Sequence, residues 1–217
     1  MLVELFGIPG AGKSTLVDAV SERARVCTRQ DLSASWRRRP LFERSTHLLR
    51  SYLQLPRSWR ALRFAFHARI ANYHSLRRLL RAVAKSDLMR SQGGTVLLDQ
   101  GLLQELWSIL YAQGRIEPDP ELLSPLIRSL YSGIDARILF VDVDSATAAR
   151  RIAGRSHGHS RLDGLADRET RDHLERTAEL PRRIIEAARL AGLQVELVDG
   201  SAPLDEQAGA VIAAVGR

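Results

Sequence analysis

The sequence predicts an α/β fold in which helices cover both faces of a parallel sheet. Five short apolar runs, typical of buried strands, alternate along the 217 residues with longer segments whose apolar side chains recur at helical spacing. This alternation has no repeat of fixed period and no low-complexity tract. Because parallel strands are joined by helical crossovers, the pattern favours a two-sided parallel sheet. The length fits a single domain covering residues 1–217.

The strands are predicted from short apolar runs that end at glycine or a polar residue. They fall at Leu2–Phe6, Val26–Thr28, Thr95–Leu98, Arg137–Val143 and Gln194–Val198. The helices between and after them are predicted from apolar residues on one face, at Ser14–Ala24, Leu102–Gln113, Pro120–Tyr131, Ala146–Ile152, Ala166–Ala191 and Leu204–Val215. We expect Pro181 to kink the long helix that contains it.

A helical insertion is predicted between the second and third strands. Apolar residues recur at helical spacing from Leu41 to Met89, Pro56 is expected to separate two helices, and Gly93-Gly94 ends the pattern. Residues 36–92 therefore form an insertion rather than an independent domain. From 36 to 90 it carries fourteen basic side chains against Glu43 and Asp87, a formal charge of +12 in a chain whose net charge is +7.

Composition narrows the class of protein. With 45% apolar and 26% charged residues the chain is typical of a globular domain, and its single cysteine, Cys27, cannot form an internal disulfide. A secretory signal is not expected, because no basic stretch precedes an apolar core at the N-terminus. No apolar run has the ~20 residues that span a bilayer. We therefore expect a cytoplasmic protein with no membrane partner.

A phosphate-binding motif follows the first strand. Residues Gly7 to Ser14 match G-x-x-x-x-G-K-[ST] completely. In this motif the glycines let backbone N–H groups surround phosphate oxygens, and the following helix adds its positive N-terminal end. Lys13 would reach the β- and γ-phosphates of ATP, and the Ser14 hydroxyl would bind Mg²⁺. The nucleotide-binding residues are thus Gly7, Gly10, Ala11, Gly12, Lys13, Ser14 and Thr15.

Asp99 ends the third strand, and ligand sites lie at the carboxyl ends of parallel strands. We expect its carboxylate beside the phosphate loop, where it could hold Mg²⁺ or accept a proton from an attacking hydroxyl. Capping of the helix that starts near Leu102 is the structural alternative.

These motifs in this order resemble the P-loop nucleoside and nucleotide kinases, especially the thymidylate-kinase-like branch. The matching stretches are Gly7–Thr15, Thr95–Gly101, Ile138–Val143 with Ala148–Arg155, Ser160–Asp163 and Val198–Ser201. The resemblance implies a three-layer P-loop kinase fold with a five-stranded parallel sheet of order 2-3-1-4-5. It also implies transfer of the γ-phosphoryl group of ATP to a small acceptor.

A lid is a further implication of the resemblance. It corresponds to residues 154–164 here, and Arg151, Arg155 and Arg161 would close over the phosphates. Guanidinium groups stabilise charge on a transferred phosphoryl group without exchanging protons.

The acceptor side departs from thymidylate kinases. They usually have an acidic residue where this chain has Phe6, and Asp-Arg with an aromatic where it has Asp99-Gln100-Gly101. Asp31 is either an acceptor-side carboxylate, an alternative base, or a turn or capping residue. Trp36 and Arg37 could stack on and neutralise an anionic acceptor, or form part of an exposed basic face.

The sequence therefore predicts an ATP- and Mg²⁺-dependent small-molecule kinase acting on a nucleoside, a nucleotide or another metabolite. Two alternatives remain open. The basic insertion could serve a polynucleotide 5′-end kinase, for which nucleic acid would be the partner. It could also bind a protein partner in a nucleotide-gated ATPase. The acceptor is not identified, and a homodimer is left open.

Overall fold

The structure is a computed structural model that describes residues 1–53, 55–70, 72–115, 117–154 and 167–216. In this part of the chain the strands are β1 (Leu2–Phe6), β2 (Cys27–Thr28), β3 (Val96–Leu98), β4 (Ala136–Asp142) and β5 (Gln194–Asp199). They form one sheet of order β2-β3-β1-β4-β5, in which every neighbouring pair is parallel. The predicted fold class and strand order are confirmed.

Helices connect all of these strands. The N-terminal half contains α1 (Lys13–Ser21), α2 (Arg29–Arg38), α3 (Leu41–Tyr52), α4 (Leu55–His67) and α5 (Tyr73–Arg90). The C-terminal half contains α6 (Leu102–Ala112), α7 (Pro120–Tyr131), α8 (Ser145–Ala153), α9 (Asp167–Arg176), α10 (Glu179–Leu190) and α11 (Leu204–Val215). Among the residues described, no helix is long and apolar enough to span a bilayer.

The sheet separates two apolar cores. Successive side chains of a strand point to opposite faces, and β1 shows this directly. Leu2 and Phe6 pack into the core formed with α4, α5, α6, α7 and α10, while Val3 and Leu5 pack into the core formed with α1, α8 and α11. The molecule therefore has three layers, and the carboxyl ends of β1 and β3 meet at one edge of the sheet.

The insertion between β2 and β3 differs in detail from the sequence prediction. It contains α2, which was not predicted, and three further helices instead of two. Pro56 lies in the first turn of α4, where a missing N–H costs nothing, so α3 ends just before it as expected. The unpredicted break between α4 and α5 has a left-handed residue, Arg69 (φ 48°), and an N-cap, Asn72.

The long helix predicted over Ala166–Ala191 is wrong as a single element. In the described residues it consists of α9 and α10, which are separated at Thr177 and Ala178. Thr177 Oγ1 donates to the backbone carbonyl of His173 at the end of α9. Pro181 does not kink a continuous helix, because it lies in the first turn of α10.

Candidate active site

The loop between β1 and α1 has the backbone geometry of a phosphate-binding loop. Gly10 (φ 85°) and Gly12 (φ 90°) are left-handed, a conformation that side chains disfavour. A Cβ atom on Gly10 would overlap the backbone carbonyl of Ala148 in α8. The glycines are therefore required both for the turn and for its close approach to α8. Such a loop before a helix N-terminus is a binding site for anions.

The two polar residues of the loop lie at its mouth. Lys13 Nζ donates to the backbone carbonyls of Gly7 and Ile8, both at 2.9 Å. Ser14 Oγ donates to Asp99 Oδ2 at 2.8 Å, which joins the start of α1 to the end of β3. The hydroxyl of Ser14 and the carboxylate of Asp99 are hard oxygen ligands side by side. A Mg²⁺ ion shared with phosphates needs only one or two such protein ligands.

In the described ranges, no three His, Cys, Asp or Glu side chains form a metal-binding group. The single carboxylate Asp99, 6% exposed, beside a hydroxyl fits Mg²⁺ held mainly by water and phosphate oxygens.

Arg29 is a site residue that the sequence analysis missed. Its Nε lies 3.2 Å from Asp99 Oδ1, and one of its terminal nitrogens donates to Gln100 Oε1 at 3.0 Å. Arg29 is the first residue of α2, so this pair fixes the start of the insertion to the end of β3. It also places a guanidinium group beside the Asp99 carboxylate.

A cavity of about 520 Å³ adjoins this edge of the sheet, between α2, α3, α5 and the end of β3. Four basic side chains line it, namely Arg29, Arg37, Arg81 and Lys85, together with one carboxylate, Glu105. Trp36 forms part of its wall, with the guanidinium groups of Arg39 and Arg44 5.8 and 5.9 Å from its ring centroid. The cavity is thus large enough for a small metabolite, and most of the charged side chains in its largely apolar wall are cationic.

Lys85 connects this cavity to the turn after β3. Its ammonium group donates to the backbone carbonyl of Gln100, the residue after Asp99. Burial lowers the pKa of Lys85, while the carboxylates of Glu4 and Glu105 act in the opposite direction. Glu105 is itself paired with Arg78 at 3.5 Å.

The buried carboxylate of Glu4 supports the turn between β3 and α6. Glu4 in β1 is fully buried and accepts backbone N–H groups of Leu102 and Leu103 at 2.8 and 2.9 Å, at the N-terminus of α6. Its carboxylate also accepts the Tyr131 hydroxyl. Burial raises the pKa of Glu4, and these hydrogen bonds oppose that rise. A Cβ atom on Gly101 would overlap the Glu4 carboxylate, which explains the glycine that follows Asp99-Gln100.

Arg151 lies on the nucleotide side, as its position in α8 suggests. One terminal nitrogen donates to the Ala11 carbonyl in the phosphate loop at 3.3 Å, and the other donates to the Gly200 carbonyl after β5 at 2.9 Å. Arg151 therefore links the phosphate loop to the turn after β5. Arg155, Arg161 and the lid segment beyond Gly154 fall outside the described residues.

Asp31 has a structural role in the start of α2. Its carboxylate accepts the backbone N–H and the hydroxyl of Thr28, both at 2.8 Å, while the Thr28 hydroxyl accepts the Asp31 N–H. These bonds to Thr28 lower the pKa of Asp31. The arrangement is a capping box. Asp31 is exposed and does not line the cavity, whereas Trp36 and Arg37 do.

One of the missed residues had a signal in the sequence. Lys13 and Lys85 are the two lysines of a chain with 32 basic residues, and the structure places both at this site. Because lysine is rare in this arginine-rich chain, its use at position 85 was a reason to single out Lys85. Arg29 and Glu105 had no comparable signal, because their role depends on helix packing. Glu4, an acidic residue inside an apolar strand, was visible but was read as part of an apolar run.

The comparisons with known proteins agree with this architecture. The family model described as "AAA domain" matches residues 2–181. A deoxyadenosine kinase from M. mycoides, solved with the products dCMP and dCDP, is 16% identical, with a TM-score of 0.53 over 100% of this chain and 98% of that chain. The same enzyme with dATP gives 15% identity, a TM-score of 0.52 and full coverage of both chains.

A shikimate kinase from Bacteroides thetaiotaomicron is 13% identical, with a TM-score of 0.50 over 100% of this chain and 99% of that chain. A comparison with curated proteins found no match. The solved structures show the fold, and they do not single out the thymidylate-kinase branch. The chain therefore belongs to the AAA domain family and has the fold of the P-loop nucleoside and nucleotide kinases.

Proposed function

We propose that the protein is an ATP- and Mg²⁺-dependent kinase that transfers the γ-phosphoryl group to a hydroxyl or phosphate group of a small metabolite. The observation that carries this proposal is the Ser14–Asp99 hydrogen bond at the mouth of the glycine loop, with the cationic cavity adjoining it. Donor phosphates, metal ligands and an acceptor-sized cavity then share one edge of the sheet.

Each residue has a defined task in this proposal. The N–H groups of residues 10–15 bind the donor phosphates, and Lys13 exchanges its loop carbonyls for β- and γ-phosphate oxygens. Ser14 and Asp99 hold Mg²⁺, which when bound neutralises charge on the phosphates. Arg151, Arg155 and Arg161 stabilise the transferred group; for Arg155 and Arg161 this role rests on the family resemblance alone.

We assign proton acceptance to Asp99 rather than Asp31. Asp31 is exposed, does not line the cavity and is bonded to Thr28 at the start of α2. Asp99 is directed instead toward Ser14 and Arg29, at the junction of the phosphate loop and the cavity. Asp31 therefore contributes to the site by holding α2, which carries Arg29, Trp36 and Arg37.

The acceptor carries an anionic group under this proposal. Four basic side chains against one carboxylate line the cavity, and the wall beside Trp36 suits a planar or apolar part. A nucleotide or a hydroxy acid meets these requirements better than a neutral sugar. The nucleotide complexes of the M. mycoides deoxyadenosine kinase support the nucleotide class. A cytoplasmic location, expected from the single Cys27, is part of the proposal.

Acceptor-dependent ADP release tests the function. The panel pairs each neutral acceptor with its anionic counterpart, such as a deoxynucleoside with its 5′-monophosphate, and a polyol with a hydroxy acid, with and without Mg²⁺. We expect Mg²⁺-dependent stimulation by members of the anionic series. Loss of ATP turnover in every arm, or turnover that no small acceptor stimulates, would contradict the proposal.

A further inference from the structure

The outer surface of α4 is apolar although it faces water. We define the α4 outer face as Trp59, Leu62, Arg63, Phe66 and His67, which together line one open groove of about 620 Å³. Trp59 is 68% exposed and Phe66 is 83% exposed. A contiguous exposed apolar surface of this kind marks a site of interaction.

The fold does not require this apolar surface. The opposite side of α4 is buried through Ala61, Phe64 and Ala65, which with Ala68 just after the helix belong to the core shared with α5 and α7. The helix is thus apolar on two sides, and only one of them packs against the protein. Elsewhere in the insertion, Leu49 on α3 and Leu53 just after it are also exposed.

The charge around this face indicates what covers it. Arg60 and Arg63 are exposed on α4, where they line a groove with one carboxylate, Glu121 of α7, and the stretch 36–90 holds fourteen basic side chains against two carboxylates. One of those two, Asp87, is already paired with Arg90 and Ser51. A second copy docking through this face would bring the exposed arginines of two α4 helices together, so a symmetric interface is opposed by charge.

We propose that the α4 outer face docks on an anionic lipid bilayer. Exposed Trp, Phe and Leu beside arginine is the composition of helices that lie in the membrane interface. Nucleic acid would match the arginines and could stack on the aromatics, but aliphatic side chains such as Leu62 gain nothing from base stacking. The interface of an anionic bilayer accommodates arginine, aromatic and aliphatic side chains together.

This proposal departs from the sequence expectation of no membrane partner. That expectation rested on the lack of a spanning segment, and an interfacial helix needs none. No residue of the α4 outer face lines the cavity beside Asp99 or belongs to the phosphate loop. The proposal is therefore independent of the kinase activity.

Vesicle co-sedimentation of the full chain tests the proposal. Vesicles containing phosphatidylglycerol are compared with vesicles of pure phosphatidylcholine, at low and high salt. We expect binding to the anionic vesicles alone, weakened by salt. Arg60→Gln with Arg63→Gln should weaken it by roughly tenfold or more. The matched control, Arg182→Gln with Arg189→Gln, changes the same charge at exposed positions of α10 and should leave binding unchanged.

The apolar part of the face has its own variant pair. Trp59→Ser with Phe66→Ser should abolish vesicle binding, whereas Leu190→Ser with Leu204→Ser, at exposed positions elsewhere, should not. Circular dichroism checks that each variant folds. A blue shift of fluorescence on vesicle addition, absent from Trp59→Phe, provides a second readout for the intact protein.

Three results would overturn the proposal. The first is no binding to anionic vesicles, or equal binding by the wild type and both α4 variants. The second is a concentration-dependent dimer that the Trp59 and Phe66 changes dissociate, which would assign the face to a second copy. The third is salt-sensitive oligonucleotide binding lost in the arginine variant while vesicle binding is absent, which would assign it to nucleic acid.

Discussion

At the scale of single residues, hydrogen-bond partners distinguish the roles of similar side chains near the site. Asp99 contacts both Ser14 and Arg29, so it joins the phosphate loop to the start of α2. Asp31 is only three residues after β2 but is held by Thr28 in a capping box. The sequence offers both aspartates as candidate bases, and their hydrogen bonds place them in different surroundings.

Replacement of Asp31 should affect stability rather than catalysis. Asp31→Ala removes the capping box, and we expect the free energy of unfolding to fall by about 1 kcal/mol. Because hydrogen bonds from Thr28 lower the pKa of Asp31, its stabilisation is present above the ordinary value of 3.8 and is lost as the pH falls below it. The difference between wild type and variant in urea denaturation should therefore shrink in acid.

Turnover separates this role from that of a base. Asp31→Ala should retain kcat within a few-fold, like the exposed control Glu22→Gln. A loss of kcat by ~100-fold or more, the scale of general base catalysis, would assign the base to Asp31 instead.

Lys85 should determine acceptor affinity. Lys85→Met removes one charge-assisted hydrogen bond from the cavity, so kcat/KM for an anionic acceptor should fall by roughly 10- to 100-fold, while KM for ATP changes little. Arg77→Met removes a cation from the exposed side of the same helix, outside the cavity, and should have little effect. Equal kinetics of Lys85→Met and Arg77→Met would show that Lys85 has no part in acceptor binding.

At the scale of elements, the hydrogen-bonded contact between Glu4 of β1 and the start of α6 is the least expected feature. Glu4 places a carboxylate under the N-terminus of α6, where its charge is favourable to the helix dipole and its oxygens accept backbone N–H groups. Gly101 leaves the space that this carboxylate occupies. The Asp99-Gln100-Gly101 turn, which departs from the thymidylate-kinase pattern, is thus matched to a residue in the first strand.

This pairing makes Gly101 sensitive to a single methyl group. Gly101→Ala should lower the free energy of unfolding by about 1–3 kcal/mol, because its Cβ would displace the Glu4 carboxylate. Gly93→Ala, where the structure has no atom within 4 Å of an added Cβ, should cost far less. Urea denaturation measures both. Equal midpoints for the two variants would contradict the proposed match between Gly101 and Glu4.

Elements that depend on local sequence patterns could be predicted, whereas those that depend on contacts between distant parts of the chain could not. Strands, the glycine loop and the position of Asp99 follow from local patterns, and the strand order followed from the family resemblance. Helix α2 was missed because its polar sequence has one buried side chain, Leu32, so little periodicity marks it. Arg29, Lys85 and Glu105 come together only through packing of the insertion on β3, which no local pattern encodes.

At the scale of the whole molecule, the sheet brings the phosphate loop and Asp99 together, and the insertion adds a cavity beside them. The carboxyl ends of β1 and β3 bring the phosphate loop to Asp99. The insertion then adds the cationic cavity, and α8 ties the loop to the turn after β5 through Arg151. Nucleotide binding should therefore depend on the sheet edge alone, whereas acceptor choice should depend on the insertion.

Calorimetric titration of Mg·ATP into the wild type and Lys13→Ala tests the central claim most directly. The account predicts one site per chain in the wild type, weakened by 100-fold or more in the variant, since Lys13 contributes its charge to the phosphates. The thermal midpoint of the variant should stay near that of the wild type. Absence of heat with the folded wild type, or equal affinity in Lys13→Ala, would contradict the claim that this loop binds the phosphates of ATP.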